Sequence, residues 1–252
     1  NLTETSTLLS TITYYRTTYT WNSATRNLSN RSNSVRSLTE SFNYDDLNRL
    51  TKATVGSTEY PVAYNVNGNI TSKSDAGTYS YDTKPHAVAG ITASAGSAIS
   101  STTQNVTYNT FNKVSAISEG TNSMTIAYSP LRERCMQKEY ESSVWKRTIY
   151  YFHNFEEYAF PKLIVTTKYH YIYSPDGLVA IMKQIGTTKT MQYVAKDHLG
   201  SVMALYDTTR TLIEEFSYDA WGRRRNPTNW TYTSVPTATN TRHGYTGHEH
   251  LD

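Results

Sequence analysis

The sequence predicts an all-β fold, a curved antiparallel sheet of stacked hairpins, from a repeated motif, a period-two pattern and the composition. The motif joins an aromatic residue, an acidic or amide residue, a turn-forming centre and an aliphatic residue six positions after the aromatic. It occurs at residues 44–50, 64–70 and 108–114, and more loosely at 206–212. Such internal repetition is typical of architectures built from one supersecondary unit, so a structural role is favoured over a catalytic one.

Each motif predicts one hairpin. Large apolar residues alternate with small or polar ones before the tyrosine, as in Phe42-Asn43-Tyr44, which is typical of a strand with one covered face. The following Asp or Asn starts a turn, and a central Asn or Gly tolerates positive φ. An offset of six is even, so the tyrosine and the aliphatic residue share a face. We expect the tyrosines and aliphatic residues on the covered side of the sheet, and Asp45, Asn65 and Asn109 at turns. The motif residues are Tyr44, Asp45, Leu50, Tyr64, Asn65, Gly68, Ile70, Tyr108, Asn109 and Val114.

The spacing of the tyrosines supports stacking of these hairpins. Tyr44 and Tyr64 are 20 residues apart, as are Tyr108 and Tyr128, which is room for two strands and two turns. One hairpin cannot bury its apolar face alone, so neighbours are expected to pair into one continuous sheet. The twist of strands would make that sheet curl.

The composition agrees with this fold and excludes several functions. The chain has 22 tyrosines and 6 phenylalanines, and tyrosine suits a half-wet sheet face on which its hydroxyl stays hydrated. A net charge of +3 gives no reason to expect nucleic acid or membrane binding, and no apolar run approaches the length of a membrane span. Cys135 is the only cysteine, which excludes a disulfide within the chain and is best read as a small buried hydrophobe.

Three sections are predicted along the chain. Residues 1–135 form the repeat array, residues 136–195 a section of bulkier strands that continues the sheet, and residues 196–252 a third section. A short helix is expected near residues 129–135, where the full repeat pattern is missing after Tyr128. Asn1 is not a start residue and the chain stops abruptly at Asp252, so the sequence is interpreted as a piece of a longer polypeptide.

These motifs resemble a known family. The stretch from Tyr44 to Leu50 is similar to the YD repeat of RHS proteins, and the third section resembles the RHS repeat-associated core. Three blocks carry the second resemblance: Asp197-His198-Leu199-Gly200-Ser201-Val202, Tyr218-Asp219-Ala220-Trp221-Gly222-Arg223-Arg224 and Gly244-Tyr245-Thr246-Gly247-His248-Glu249.

The resemblance implies a fold and a function. Proteins of this family include polymorphic toxins, insecticidal toxin-complex components and, more distantly, teneurins, and they build a spiral β-shell. In the toxins the shell encloses a C-terminal effector domain, the core segment closes it, and a self-cleavage motif follows the third block. The chain ends before that motif, so no catalytic residue is carried over. A secreted or surface-exposed, including wall-associated, bacterial protein is implied.

Other candidate sites have simpler interpretations. His243, His248 and His250 have the chemistry of metal ligands, but no third ligand follows with defined spacing. Asp197, His198 and Ser201 lack the surroundings of a hydrolytic triad. The basic run 223–225, with Trp221 and Trp230, could contact a phosphate or an acidic glycan, but a solvated turn is favoured. No catalytic, cofactor or metal site is therefore predicted.

Two functions stay open from the sequence. The first is a structural shell whose partner is the C-terminal effector of the same polypeptide. The second is a surface adhesion or glycan-binding module, for which exposed tyrosines would provide platforms. An enzymatic function has almost no support. The domain that follows Asp252 in the parent polypeptide would discriminate between the first two.

Overall fold

A computed structural model describes residues 4–9 and 12–250, apart from residues 84, 87, 98, 162 and 164. The described residues contain no α-helix, and every strand pairing is antiparallel between strands that are consecutive in the chain. The predicted all-β fold is confirmed. The strands are β1 (Glu4–Leu9), β2 (Ile12–Trp21), β3 (Leu28–Asn33), β4 (Leu38–Tyr44), β5 (Leu50–Val55), β6 (Thr58–Tyr64), β7 (Ile70–Lys73), β8 (Gly77–Tyr81), β9 (Val88–Ala93), β10 (Gln104–Tyr108), β11 (Val114–Glu119), β12 (Asn122–Tyr128), β13 (Arg134–Glu141), β14 (Val144–Phe152), β15 (Phe155–Ala159), β16 (Thr167–Ser174), β17 (Gly177–Ile185), β18 (Thr188–Lys196), β19 (Val202–Tyr206), β20 (Leu212–Glu215), β21 (Ser217–Tyr218) and β22 (Arg224–Arg225), followed by a 3₁₀ turn at Tyr245–Gly247.

The chain divides into two compact units. The first unit contains Asn1–Ser101 and Phe216–Pro236, with the nine-stranded sheet β1 to β9 and the small hairpin of β21 and β22. The second unit contains Thr102–Glu215 and Thr237–Asp252, with the eleven-stranded sheet β10 to β20. The third predicted section is therefore shared, since residues 216–236 belong to the first unit and residues 237–252 to the second.

The expectation of one continuous sheet is wrong for the described residues. Strand β9 pairs with β8, strand β10 pairs with β11, and no pairing joins β9 to β10. The chain between them folds back on its own unit, because Ser94 N–H donates to the Ala76 carbonyl and the Ser97 hydroxyl donates to the same oxygen at 2.7 Å. The boundaries at residues 135 and 195, by contrast, both fall within the second sheet.

The short helix expected at residues 129–135 is also wrong. Ser129 N–H donates to the Glu133 carbonyl, and Arg132 N–H donates back to Ser129 at 2.9 Å. Tyr128 pairs with Arg134 across the resulting hairpin turn. Strands β12 and β13 take up the residues on both sides of this turn, so the segment between them is too short for a helix.

One face of each sheet carries the core. In the first unit Phe42, Ala53 and Val62 are buried, and in the second Ile149, Ile181 and Leu205 are fully buried. Directly paired residues share a face, so the register of β13, β14 and β15 aligns Gln137, Ile149 and Tyr158 on this side of the second sheet. The C-terminal residues of each unit pack on the same face.

Candidate functional site

Eight hairpin turns share one geometry. In the first, Asp45 N–H donates to the Arg49 carbonyl at 3.1 Å and Asn48 N–H donates back to the Asp45 carbonyl at 2.9 Å. The carboxylate of Asp45 also accepts the N–H groups of Leu47 and Arg49. The same backbone pair occurs in the turns that begin at Asn65, Asn109, Ser129, Asp197, Asp207, Asp219 and Gly244.

The fourth residue of every such turn has positive φ. Asn48 and Asn112 have φ of 60° and 59°, and Gly68, Gly200 and Gly222 have φ of 83° to 85°. Asn and Gly are the residues that adopt this conformation at least cost. All three core blocks, at residues 197–202, 218–224 and 244–249, thus contain further copies of the backbone turn.

The motif tyrosines pair with the aliphatic residues as the spacing predicts. Tyr44 lies opposite Leu50 and Tyr64 opposite Ile70, and all four side chains are half-buried. Tyr108 lies opposite Val114 but is 63% exposed, so its predicted position on a covered face is wrong. Its strand, β10, is at the edge of the second sheet and has a neighbour on one side only.

Tyrosine hydroxyls connect successive repeats. Tyr64 donates to the Leu50 carbonyl at 2.9 Å, Tyr81 to the Ile70 carbonyl at 2.8 Å and Tyr128 to the Val114 carbonyl at 2.7 Å. Each acceptor is the residue six positions after the aromatic residue of the preceding repeat. The interpretation of the hydroxyls as merely hydrated is corrected at these positions, and the preference for tyrosine over phenylalanine has a structural reason there.

A basic side chain strengthens this connection. Arg49, at the end of the first turn, lies 4.7 Å from the ring centre of Tyr64 and donates to the Asn65 carbonyl at 3.2 Å. Lys113 is placed in the same way, 5.5 Å from the ring of Tyr128. A cation over a tyrosine ring is attracted by its electron-rich face.

Residues 216–236 are held in the first unit by a buried ionic cluster, the first anchor. Glu40 is 1% exposed and accepts from Arg31 at 2.7 Å and from Arg225 at 3.0 Å. Arg225 is itself 2% exposed, and the ring of Trp230 lies 4.3 Å from its guanidinium. Arg31 also donates to the Tyr218 carbonyl at 2.6 Å, which fixes the second core block on the sheet.

A second pair of charges completes the first anchor. Arg223 donates to Asp75 at 3.0 Å, and Asp75 also pairs with Lys73. The Tyr232 hydroxyl donates to Asp219 at 2.7 Å, and the Tyr232 ring meets the ring of Tyr60 edge to face. The interpretation of residues 223–225 as a solvated turn is wrong, because the carboxylates of Glu40 and Asp75 draw two of the three guanidiniums onto the sheet.

The first anchor keeps its charges. Burial alone would raise the pKa of Glu40, but the guanidinium charges of Arg31 and Arg225 outweigh it and hold the pKa below its usual 4.5. Burial similarly opposes ionisation of Asp75, yet hydrogen bonds from Lys73 and Arg223 lower its pKa. Both carboxylates are therefore ionised at neutral pH.

Residues 237–250 are held in the second unit by the second anchor. Arg242 donates to Glu139 at 2.6 Å, and Arg147 donates to the other oxygen of Glu139 at 2.6 Å. Glu249 pairs with Arg134 and accepts from the Tyr151 hydroxyl at 3.0 Å. Charges from the segment thus alternate with charges from β13 and β14.

A histidine and a carboxylate form the other half of the second anchor. His243 Nε2 faces Glu156 Oε1 at 3.5 Å, and the other oxygen of Glu156 accepts from the hydroxyls of Tyr158 and Tyr171, each at 2.8 Å. His243 Nδ1 lies 2.8 Å from the Gly247 carbonyl, which accepts a hydrogen bond when that nitrogen is protonated. Burial lowers the pKa of His243, but Glu156 and the Gly247 carbonyl raise it more, above its usual 6.5.

The third core block closes on the first. Val202 N–H donates to the Gly244 carbonyl at 3.0 Å, and Thr246 N–H donates to the fully buried Ser201 hydroxyl at 3.0 Å. A Cβ on Gly247 would lie 3.7 Å from the Gly200 carbonyl. Blocks separated by more than 40 residues in sequence therefore form one structural feature.

The remaining predicted residues have ordinary structural positions. The Asp197 carboxylate accepts the N–H groups of Leu199 and Ser201, so it belongs to a turn. Leu199 and Trp221 are 48% and 38% exposed, and His248 is exposed. His250 Nε2 accepts the N–H of Tyr245 at 3.1 Å. In the described part of the chain no group of three or more His, Cys, Asp or Glu side chains is arranged to hold a metal ion.

The anchoring carboxylates were missed by reasoning from sequence. Glu40 shares a strand face with Phe42, and Glu156 shares one with Tyr158, since each pair is two residues apart. A glutamate at a core-facing position of a strand is the signal that could have identified them. Their partners, Arg225 and His243, cannot be found in this way because they are far away in the sequence.

Comparison with known proteins identifies the family. Residues 1–233 match the family described as the teneurin YD-shell, and the chain belongs to that family. No curated protein matches the chain in sequence. Among the described residues no helix is long and apolar enough to cross a membrane.

Solved structures share the fold. They include the Tc holotoxin pore of Photorhabdus luminescens and the TcdB2–TccC3–Cdc42 complex, each with a TM-score of 0.52 at 12% identity. The TcdB2–TccC3 complex is similar to the chain with a TM-score of 0.50 at 12% identity. In all three the match covers 93% of this chain and 16% of the solved chain. The likeness at this identity extends to the fold alone.

Proposed function

We propose that this chain is a segment of an RHS-type β-shell that encloses and presents a C-terminal effector domain of the same polypeptide. The parent protein is secreted or displayed on a bacterial cell surface in this proposal, with toxin delivery as its role. Membership of the YD-shell family supports the shell role. The observation that carries the proposal further is the pair of buried ionic anchors, since they fix residues 216–250 on the covered face of the sheets.

The anchors suit enclosure for a physical reason. Buried ion pairs add little net stability compared with apolar packing, but their geometry is specific, and breaking one leaves an uncompensated charge. A segment that must leave the sheet at a defined place benefits from such specificity. A domain that follows the segment is then tethered at a fixed position instead of on a free linker.

No catalytic role is part of this proposal. The Asp197 carboxylate accepts two backbone N–H groups of its own turn, and the Ser201 hydroxyl is buried and accepts the N–H of Thr246. His243 is committed to Glu156 and Gly247. The residues that could resemble a hydrolytic group have structural partners.

Adhesion or glycan binding is the second candidate. The observation in its favour is a group of exposed aromatic side chains on the second sheet, with Tyr150 38%, Phe152 56%, Tyr173 49% and Tyr193 52% exposed. Aromatic rings on a half-wet sheet face can stack on sugars.

Limited proteolysis of the parent polypeptide tests enclosure. The test variant combines Glu40→Gln with Glu156→Gln, which neutralises one carboxylate in each anchor. The matched control combines Glu59→Gln with Glu157→Gln, which neutralises one carboxylate on each of the same two sheets. Glu59 pairs with Lys52, and Glu157 pairs with Lys168.

We expect the domain after residue 252 to resist protease in the parent and in the control and to be cut faster in the test variant. Equal cleavage in all three forms, or a parent polypeptide with no folded domain after residue 252, would overturn enclosure. In that case retention of the chain on immobilised glycans would support adhesion.

A further inference from the structure

We propose that residues 237–250 form a latch controlled by pH, closed on the second sheet while its carboxylates are ionised and released in acid before the sheet unfolds. The latch is a property of the second unit alone and does not depend on an enclosed effector. Four glutamates hold it, three on the sheet and one in the segment: Glu139, Glu156, Glu214 and Glu249.

Three of the four carboxylates accept hydrogen bonds across the contact between segment and sheet, and the fourth, Glu156, faces His243 at 3.5 Å. Glu214 accepts from Thr239 N–H at 2.9 Å and from the Asn240 side-chain amide at 2.8 Å. Glu139 accepts from Arg242, Glu156 faces His243, and Glu249 pairs with Arg134. Protonation of Glu139 or Glu156 removes the negative charge that faces Arg242 or His243.

Apolar burial contributes little to holding this segment. The buried residues within 237–250 are Thr241 and Gly244, and Tyr245 is half-buried. Residues 216–236 differ, because Phe216, Tyr218 and Trp230 are buried there at 5%, 3% and 5% exposure. The first half of the C-terminal segment therefore has apolar packing that acid leaves intact, whereas the second half depends on charge.

Several contacts between the segment and the sheet do not depend on a carboxylate: Lys183 donates to Asn240 at 3.0 Å, and the Tyr171 ring meets the His243 ring edge to face. Tyr169 donates to the Thr239 carbonyl at 3.4 Å, and Gln192 donates to Asn240 at 3.0 Å. Val202 N–H donates to the Gly244 carbonyl and Thr246 N–H to the Ser201 hydroxyl. The sheet below keeps its strand pairing and the buried Ile149, Ile181 and Leu205 in acid, so it is expected to outlast the latch.

Titratable and charged groups surround the Glu156 and His243 pair on the sheet and in the segment. The sheet presents Glu139 from β13, Arg147 and Tyr151 from β14, Tyr158 from β15, Tyr169, Tyr171 and Tyr173 from β16, Lys183 from β17 and Glu214 from β20, and the segment presents Arg242 and Glu249. Burial and the Glu156 charge raise the pKa of Tyr158 and of Tyr171, so both hydroxyls stay protonated throughout.

The pKa shifts make the stability of the latch depend on pH in two ranges, one in acid and one above pH 6.5. Burial opposes ionisation of Glu156 and Glu139, but His243 and Arg242 respectively lower their pKa values below 4.5, so their contribution exists above pH 4.5 and is lost as pH falls. The raised pKa of His243 acts in the opposite sense. Its contribution is complete below pH 6.5 and is lost as pH rises through the raised value. The latch is tightest between these limits.

Hydrogen exchange on the whole 252-residue chain from pH 3 to pH 9 tests the proposal, with rates corrected for the intrinsic pH dependence. The reporting amides are Val202, Gly244 and Thr246, and the amides of β17 report on the sheet. Glu156→Gln is the test variant, and Glu157→Gln, on the opposite face of the same strand, is its matched control.

We expect protection of the reporting amides to peak near pH 5–6 and to fall about tenfold or more by pH 3.5, while β17 stays protected. In the Glu156→Gln variant the loss of protection above pH 6.5 should disappear, whereas the control should still show it. Protection of the reporting amides that does not change with pH would overturn the latch, as would loss of protection in β17 at the same pH as in the segment. Both results are measured on the unmodified chain, so the test does not depend on whether the variant folds.

Discussion

Neutralising Glu40 is the perturbation whose effect follows most directly from the geometry. Glu40 is 1% exposed and accepts from two guanidiniums, of which that of Arg225 is 2% exposed. In Glu40→Gln the shape is retained, but Arg225 keeps its charge in a buried site without the carboxylate to which it is hydrogen-bonded. Breaking a buried pair by removing one partner costs about 3–5 kcal/mol, and because glutamine can still accept hydrogen bonds, we expect a value near the lower limit, about 3 kcal/mol.

The assay is urea unfolding followed by tryptophan fluorescence. Trp230 is buried against Arg225, so its emission reports on the first anchor. A loss of about 3 kcal/mol at an m-value of about 2 kcal/mol per molar lowers the transition midpoint by about 1.5 M urea. The m-value should not change, since the surface exposed on unfolding is the same.

A matched substitution separates burial from charge. Glu59 pairs with Lys52 at 2.6 Å on the same sheet, but its side chain is 56% exposed, so Glu59→Gln should cost less than about 1 kcal/mol. Replacing both partners of the buried pair, as Glu40→Leu with Arg225→Met, should recover much of the loss, because no charge is then left unpaired. If Glu40→Gln and Glu59→Gln shift the midpoint equally, the assignment of Glu40 to a buried anchor is refuted.

Three further predictions concern the repeat. Tyr64→Phe removes the hydroxyl that donates to the preceding repeat and should cost about 0.5–1.5 kcal/mol in urea unfolding, whereas Tyr108→Phe at an exposed site should cost close to nothing; equal losses would contradict the connecting role of the hydroxyl. Gly77→Ala places a Cβ 2.0 Å from the Thr92 carbonyl and should lower the melting temperature by several degrees, and an unchanged melting temperature would mean that β8 and β9 approach less closely. Arg210→Asn puts an amide residue at a turn position with φ of 70° and should raise stability by about 0.5 kcal/mol, so a loss would show that the Arg210 side chain has a role of its own.

Local features of the fold could be predicted from the sequence. The turn that begins at Asp45 is determined within five residues, since one carboxylate, two N–H groups and an Asn with positive φ make it. The pairing of Tyr44 with Leu50 follows from the same spacing. Interactions of this range are readable because every participant lies within one hairpin.

Long-range features could not be predicted. Whether β9 pairs with β10 depends on how residues 94–97 fold back on Ala76, and no period in the sequence records that. The partner of Glu40 is Arg225, which lies 185 positions later, so a run of three arginines looked solvated when examined alone. Whether a charge is buried depends on residues from distant parts of the chain that meet on the covered face of the sheet. The sequence around residues 223–225 contains the arginines but not the carboxylates that pair with them.

The direct test of the central claim is an electron cryo-microscopy map of the parent polypeptide that carries this chain. The account predicts density for residues 216–250 on the covered faces of the sheets, with Arg225 at Glu40 and Arg242 at Glu139, and density for the residues after 252 enclosed by those sheets. A map in which residues 216–250 lie away from the sheets, or in which the following domain lies outside them, would contradict it.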